Sequence, residues 1–176
     1  MKHHILILSK NFPAWHSRAG EETFFGEAIR NAFFAAGSKN FNYNLPPFRS
    51  RPMEVTALQR KLHTIRGNYD KWARAFEEIK AGRACLSVRQ WLGKPYEKGS
   101  MMIELTRLYY DDGISLQKLD LRGSSFLPAW IDGQKVVDRY KLARNDGLDF
   151  ADWSEWMEHY DLSQPMALIN FTQHHY

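Results

Sequence analysis

The chain has 176 residues, 44% of them hydrophobic and 14% aromatic, which is enough apolar material for one well-formed core and short for two. Its single cysteine, Cys85, excludes an internal disulfide and a cysteine-based zinc cage, and the apolar run Ile5-Leu6-Ile7-Leu8 is too short for a signal peptide or a membrane span, so a cytoplasmic protein with no membrane partner is expected. The net charge of +4 divides into +1 over residues 1–36, +8 over 37–100 and −5 over 101–176; the basic middle suits an anionic partner such as nucleic acid, while the acidic remainder excludes a chain that simply coats DNA.

Residues 3–9 are apolar and β-branched and read as a buried first strand, broken at Asn11-Phe12-Pro13. After a loop over 14–20, Glu21 and Glu22 open a helix whose Phe24, Phe25, Ala28, Ile29, Ala32 and Phe33 form an apolar stripe, ended by Gly37. Residues 38–52 read as an extended loop with basic tips at Arg49 and Arg51. Its Phe41, Tyr43 and Phe48 either stack a splayed base or pin the loop to the body. A weak helical pattern over 53–60 leads into Lys61-Leu62-His63-Thr64-Ile65-Arg66, a segment of strand character carrying four polar, chemically capable side chains. Gly67-Asn68 is a turn, and Asp70 caps a helix with Trp72, Ala75, Phe76 and Ile79 on one face, stopping near Gly82.

Residues 84–88 form a strand, and 89–99 a loop that mixes cations, aromatics and turn residues. Arg89, Trp91, Lys94 and Tyr96 of this loop are candidate ligand contacts, the alternative being an ordinary hairpin with Trp91 packed inward. Strands over 101–110 and 114–121, with Asp111-Asp112-Gly113 between them, predict a hairpin within a meander. Residues 122–134 are loop-like, and 134–142 continue the last strand or begin a helix. Asn145-Asp146-Gly147 is a turn, Asp149 caps a helix with Phe150, Trp153, Trp156 and Met157 inward, and 166–171 close the fold as a strand. The histidines show no metal-ligand spacing: His3-His4 and His174-His175 are terminal pairs, which come together only if the end strands pair, and His16 and His159 lie singly. No metal and no cofactor are expected.

Within the polar segment, regular strand geometry places Lys61, His63 and Ile65 on one face and Leu62, Thr64 and Arg66 on the other. Burying an unpaired lysine or arginine costs several kcal/mol, roughly, so one face must meet solvent, a cleft or carboxylates. The bland alternative is an edge strand flanked by Lys61 and Arg66. Lys-x-x-Thr-Ile-Arg directly after a helix-like segment resembles the signature of ASCH domains, relatives of the PUA fold. Gly82-Arg83-Ala84 before a strand, the Asn145-Asp146-Gly147-Leu148 turn with Trp153, and the final apolar strand extend the resemblance over residues 53–172, about two thirds of the chain.

The resemblance implies an α/β (α+β) fold with a small, mixed, PUA-like β-barrel flanked by helices. The chain would be a single domain over 1–176, with insertions at about 12–52 and 67–82. It also implies an RNA or modified-nucleoside ligand in a cleft lined by Lys61, Thr64, Arg66 and Asp146, with His63 as a further contact. Some ASCH proteins are amidohydrolases that remove the acetyl group from acetylated cytidine, using a lysine, a threonine and a glutamate. By resemblance those positions fall on Lys61, Thr64 and Asp146, the last one methylene shorter than glutamate. Lys61 and Thr64 can line one cavity only if Lys61 lies before the strand, at a helix end or in a turn. A third expectation, of a different class, is a protein-interaction domain with no nucleotide ligand.

Overall fold

The computed structural model describes residues 1–37, 59–123, 128–136 and 138–176. The extended loop expected at 38–52, with Phe41, Tyr43, Phe48, Arg49 and Arg51, lies outside the described residues, as does most of the helical pattern at 53–60. In chain order the elements are β1 (Lys2–Leu8), α1 (Phe25–Ala35), β2 (His63–Arg66), α2 (Tyr69–Lys80), β3 (Ala84–Trp91), β4 (Met102–Leu108), β5 (Ser115–Asp120), β6 (Ala129–Ile131), β7 (Gln134–Val136), α3 (Arg139–Asn145), α4 (Phe150–Met157) and β8 (Met166–Asn170). A short 3-10 turn at Tyr110–Asp112 separates β4 from β5.

The strands fall into two sheets, β1-β3-β4 and β2-β8-β5-β6-β7, so the fold is mixed α+β. Among the described residues no ladder joins the two sheets into a closed barrel. One core cluster nevertheless draws side chains from both: Leu6 and Val88 from the first, Ile65, Leu119 and Leu168 from the second, with Phe33 of α1, Ile79 of α2 and Trp153 of α4. In β1 the pattern is alternating at its end, Leu6 and Leu8 buried and Ile5 and Ile7 exposed, as an edge strand with one covered face requires. β3 lies between β1 (parallel) and β4 (antiparallel), and its first five residues are all buried. Among the described residues no helix is long and apolar enough to cross a membrane.

Several boundaries differ from the sequence expectation. α1 begins at Phe25 rather than at Glu21, because the chain before it is already engaged: Phe12 N donates to Glu21 O (2.8 Å), Glu22 bridges Asn11, and Thr23 Oγ1 donates to Ser9 O (2.7 Å). Asn68, not Asp70, caps α2, its side chain accepting from Lys71 N at 3.1 Å. The expected hairpin between residues 101–110 and 114–121 does not form. The 3-10 turn and Gly113 redirect the chain, so β4 pairs with β3 while β5 pairs with β8 and β6. The loop expected at 122–134 contains β6, and 134–142 hold both β7 and the start of α3. Asp149 does cap α4, accepting from Asp152 N at 2.8 Å, with Trp153 and Met157 buried beneath it.

Candidate functional site

Lys61 lies just before β2, which begins at His63. Three backbone hydrogen bonds hold this approach: Lys61 N to Ala28 O of α1 (3.1 Å), Leu62 N to Asn145 O at the end of α3 (2.7 Å), and Phe171 N to Leu62 O (2.9 Å). Lys61 is thereby laid against the Asn145-Asp146-Gly147 turn, with which it forms an isolated antiparallel bridge. Its ammonium donates to both the backbone oxygen and Oδ1 of Asp146, and sits 4.0 Å from the centroid of the Phe25 ring. Because Lys61 precedes the strand, the alternation that would separate it from Thr64 does not apply, and Lys61, Thr64, Arg66 and Asp146 line one cavity with Ser9 and Phe25.

That cavity is small, about 10 Å³, close to what a single water needs and far below a nucleoside. Lys61 and Asp146 are almost fully buried. Burial lowers the Lys61 ammonium to about 8 despite the opposing attraction of Asp146, and burial likewise raises the Asp146 carboxyl against the pull of Lys61 and Arg66. Arg66 lends its guanidinium to the backbone, Nη1 donating to Ile65 O (2.9 Å) and Nη2 to Ile7 O (2.8 Å), so it ties β2 to the end of β1. In this form the cluster offers a desolvated amine beside a carboxylate and a buried hydroxyl, with room for a water but no larger group.

The remaining expected contacts divide between three places. His63 is fully buried away from this cavity, its Nδ1 3.2 Å from Tyr176 Oη. Arg89 belongs to β3 rather than to a loop, and its side chain lies along the sheet, Nε donating to Ser87 Oγ (2.8 Å) with Glu104 3.6 Å away. Trp91, Lys94 and Tyr96 do come together. They line a groove of about 920 Å³ with the chain that leaves β1, including Lys10, Phe12 and Pro13. Trp91 and Tyr96 have ring centroids 5.3 Å apart, Tyr96 is 86% exposed, and Lys10 Nζ donates to Leu92 O at 3.1 Å.

Among the described residues lining the groove there is no carboxylate. Ser9 lines both the groove and the small cavity. Lys10 and Phe12 escaped the sequence reading because they reach Trp91 only through the parallel pairing of β1 with β3, in which Leu8 stands opposite Gln90. No local pattern encodes that neighbour. A second cavity of about 680 Å³ runs beside the Gly147 turn, lined by Arg18, Phe24, Tyr140, Arg144 and Phe150 together with Glu22, Asp149 and Asp152.

Among the described residues no group of three or more His, Cys, Asp or Glu side chains is arranged to hold a metal ion. The end strands do not meet, since β1 pairs with β3 and β8 with β2 and β5, so the terminal histidine pairs are not gathered into one set. Comparison with protein-family models, with curated proteins and with solved structures finds no match for this chain, and its function is to be read from the residues themselves.

Proposed function

We propose that the chain binds single-stranded RNA or a modified nucleoside, with the aromatic and basic groove between β1 and the end of β3 as the contact surface. The observation that carries this reading is the lining of that groove: Trp91 and Tyr96 offer ring faces, Lys10 and Lys94 offer cations, and no carboxylate is among the described residues that line it. Ring faces stack bases without demanding a sequence, at about 1–3 kcal/mol per base, and cations follow the phosphates. A PUA-like relationship for the fold belongs to the same proposal. It is supported by the order of elements around Lys-x-x-Thr-Ile-Arg, with the Asn-Asp-Gly turn beside it and the last strand paired to it. The groove, rather than a cleft over the motif, is the place with room for the ligand.

The test is retention of a labelled single-stranded RNA across a salt series. Each phosphate contact contributes about 0.7 to the slope of log affinity against log salt on a single strand, so replacing Lys10 and Lys94 by Gln should flatten the slope by about 1.4. Trp91→Ala should weaken binding by roughly 1–3 kcal/mol with the slope unchanged. Absence of retention at low salt, or retention indifferent to all three substitutions, overturns the reading.

A second reading, amide hydrolysis on an acylated cytidine, draws on the Lys61 amine, lowered to about 8 by burial and sharing its cavity with Thr64 and Asp146. A lysine with a depressed pKa can take the proton of a hydroxyl or of a water as it attacks an acyl carbon. The cavity must open for this, since about 10 Å³ admits no acyl group. On this reading purified protein turns over N-acetylcytidine, Lys61→Ala and Thr64→Val each lower the rate by about 10²–10⁴-fold, and Asp146→Glu raises it. Inactivity of both wild type and Asp146→Glu on a panel of acylated nucleosides leaves the binding function alone.

A further inference from the structure

The cavity of about 680 Å³ beside the Gly147 turn serves neither the groove nor the Lys61 cluster: its described lining includes none of Lys61, Thr64, Asp146, Trp91 and Tyr96. Its size lies within the range of small-molecule sites, about 300–1,000 Å³. The buried part of the lining is Phe12, Thr23 and Leu148 with Asp152, whose carboxylate accepts from Arg18 Nη1 at 2.5 Å. Arg18 is therefore already committed, and its Nε donates in turn to Glu21 at 2.8 Å.

The less buried lining combines rings with charges of both signs. Tyr140 and Phe150 pack against each other with ring centroids 4.4 Å apart and planes 34° from parallel, and Tyr140 is 70% exposed. Phe24 adds a third ring, at the N-cap of α1, with φ +56° and no side-chain cap. Asn would both cap this helix and accept the left-handed backbone, whereas a bulky residue there is an outlier of the kind that gathers at ligand sites. What Phe24 supplies in place of a cap is a ring in the cavity lining. Arg144, one turn beyond Tyr140 on α3, makes no ion pair among the described residues. Asp149 spends Oδ1 on Asp152 N at the start of α4 (2.8 Å) and keeps a second carboxylate oxygen, and Glu22 brings a further carboxylate to the lining.

We propose that this cavity binds a small zwitterion bearing an aromatic ring, in chemical class an aromatic amino acid or a dipeptide that ends in one. Arg144 takes the carboxylate through its planar fork, Asp149 takes the ammonium, and the ring packs among Phe24, Tyr140 and Phe150. An anion alone would meet Asp149 and Glu22, and a cation alone would meet Arg144, so a ligand of both signs is the one this lining compensates. The site is separate from the groove and does not depend on the groove's function.

The experiment is isothermal titration calorimetry of the whole chain with L-phenylalanine and with glycyl-phenylalanine, the tighter of the two telling a free amino acid from a dipeptide. Phenylalaninamide lacks the carboxylate, 3-phenylpropionate the ammonium and leucine the ring, and each should bind about tenfold more weakly than phenylalanine, as the loss of one charge-assisted contact or one packed ring predicts. Arg144→Gln should weaken phenylalanine and phenylpropionate by about tenfold and leave phenylalaninamide unchanged. Asp149→Asn keeps an oxygen for the helix cap and removes the charge, so it should weaken phenylalanine and phenylalaninamide and spare phenylpropionate. Phe24→Gly, which drops the ring and relieves the backbone, should weaken all three ring ligands, and Trp91→Ala should change none. Three results overturn the proposal: wild type gives no heat with either zwitterion at millimolar concentration, the three control ligands bind as well as phenylalanine, or Arg144→Gln and Asp149→Asn affect all ligands alike. Circular dichroism of each variant identifies any that fails to fold; in that event Arg144→Lys, which keeps the charge and loses the fork, replaces Arg144→Gln and should lower phenylalanine affinity while sparing phenylalaninamide, an unchanged affinity overturning the proposal equally.

Discussion

Lys61 and Asp146 are each other's compensation. An ammonium out of water costs several kcal/mol, roughly, and recovers it only through close opposite charge and complete hydrogen bonding, which Asp146 supplies from both its carboxylate and its backbone oxygen. Removing one partner should therefore cost more than removing both: Lys61→Met is expected to destabilise by about 3–5 kcal/mol in urea unfolding, and Lys61→Met with Asp146→Leu by clearly less. The pH dependence follows from the direction of the Lys61 shift. Burial lowers Lys61 to about 8 from 10.5, so between these values the unfolded chain holds a proton that the folded chain has released. Stability from this site then rises with pH across that window, is full above 10.5 and is lost as pH falls through about 8, by at most about 3 kcal/mol. Lys61→Met should abolish the rise. Asp146, raised from 3.8, acts in the opposite sense at the acid end, its contribution full below 3.8 and lost as pH climbs through the folded value.

At the scale of elements, the turn after α3 determines where the carboxylate sits. Gly147 has φ +84°, and a Cβ built there would lie 3.3 Å from Lys61 Cβ and 3.5 Å from Phe25 Cδ1. Gly147→Ala thus combines a left-handed backbone, worth about 1–2 kcal/mol, with a push on the Lys61 side chain. Gly133, at φ +81° with nothing within 4 Å, carries the backbone cost alone. Gly147→Ala should lower the melting temperature more than Gly133→Ala does, and equal losses would mean that Lys61 yields freely. The helices were legible locally: the stripes of α1, α2 and α4 and the Asp149 cap are properties of a few turns of sequence. Their starts were less so, since Glu21 looks like a helix opener until Phe12 claims its backbone oxygen. The hairpin between β4 and β5 failed for the same reason, because turn residues specify a bend and not which edge the next strand finds.

Across the whole molecule, the motif strand β2 joins the two sheets' chemistry without joining their ladders. Arg66 reaches β1 by a side chain, Lys61 reaches the α3 turn, and among the described residues β2 itself pairs only with β8. The basic excess of the middle of the chain is spread along sequence, and the groove takes Lys94 from that segment but Lys10 from the nearly neutral first one. By itself the sequence determined the elements with strong periodicity, the lack of a disulfide and the presence of a chemically unusual cluster at 61–66, because these depend on side chains close together in the chain. Only the tertiary structure decided that Lys61 sits ahead of its strand and meets Asp146, that Arg89 lies along a sheet while Trp91 and Tyr96 line a groove, and that Tyr176 closes over His63. Each of these joins residues from distant parts of the chain through strand pairing or a returning segment, and such pairings are selected by burial and hydrogen-bond completion over the whole core, which no window of sequence contains.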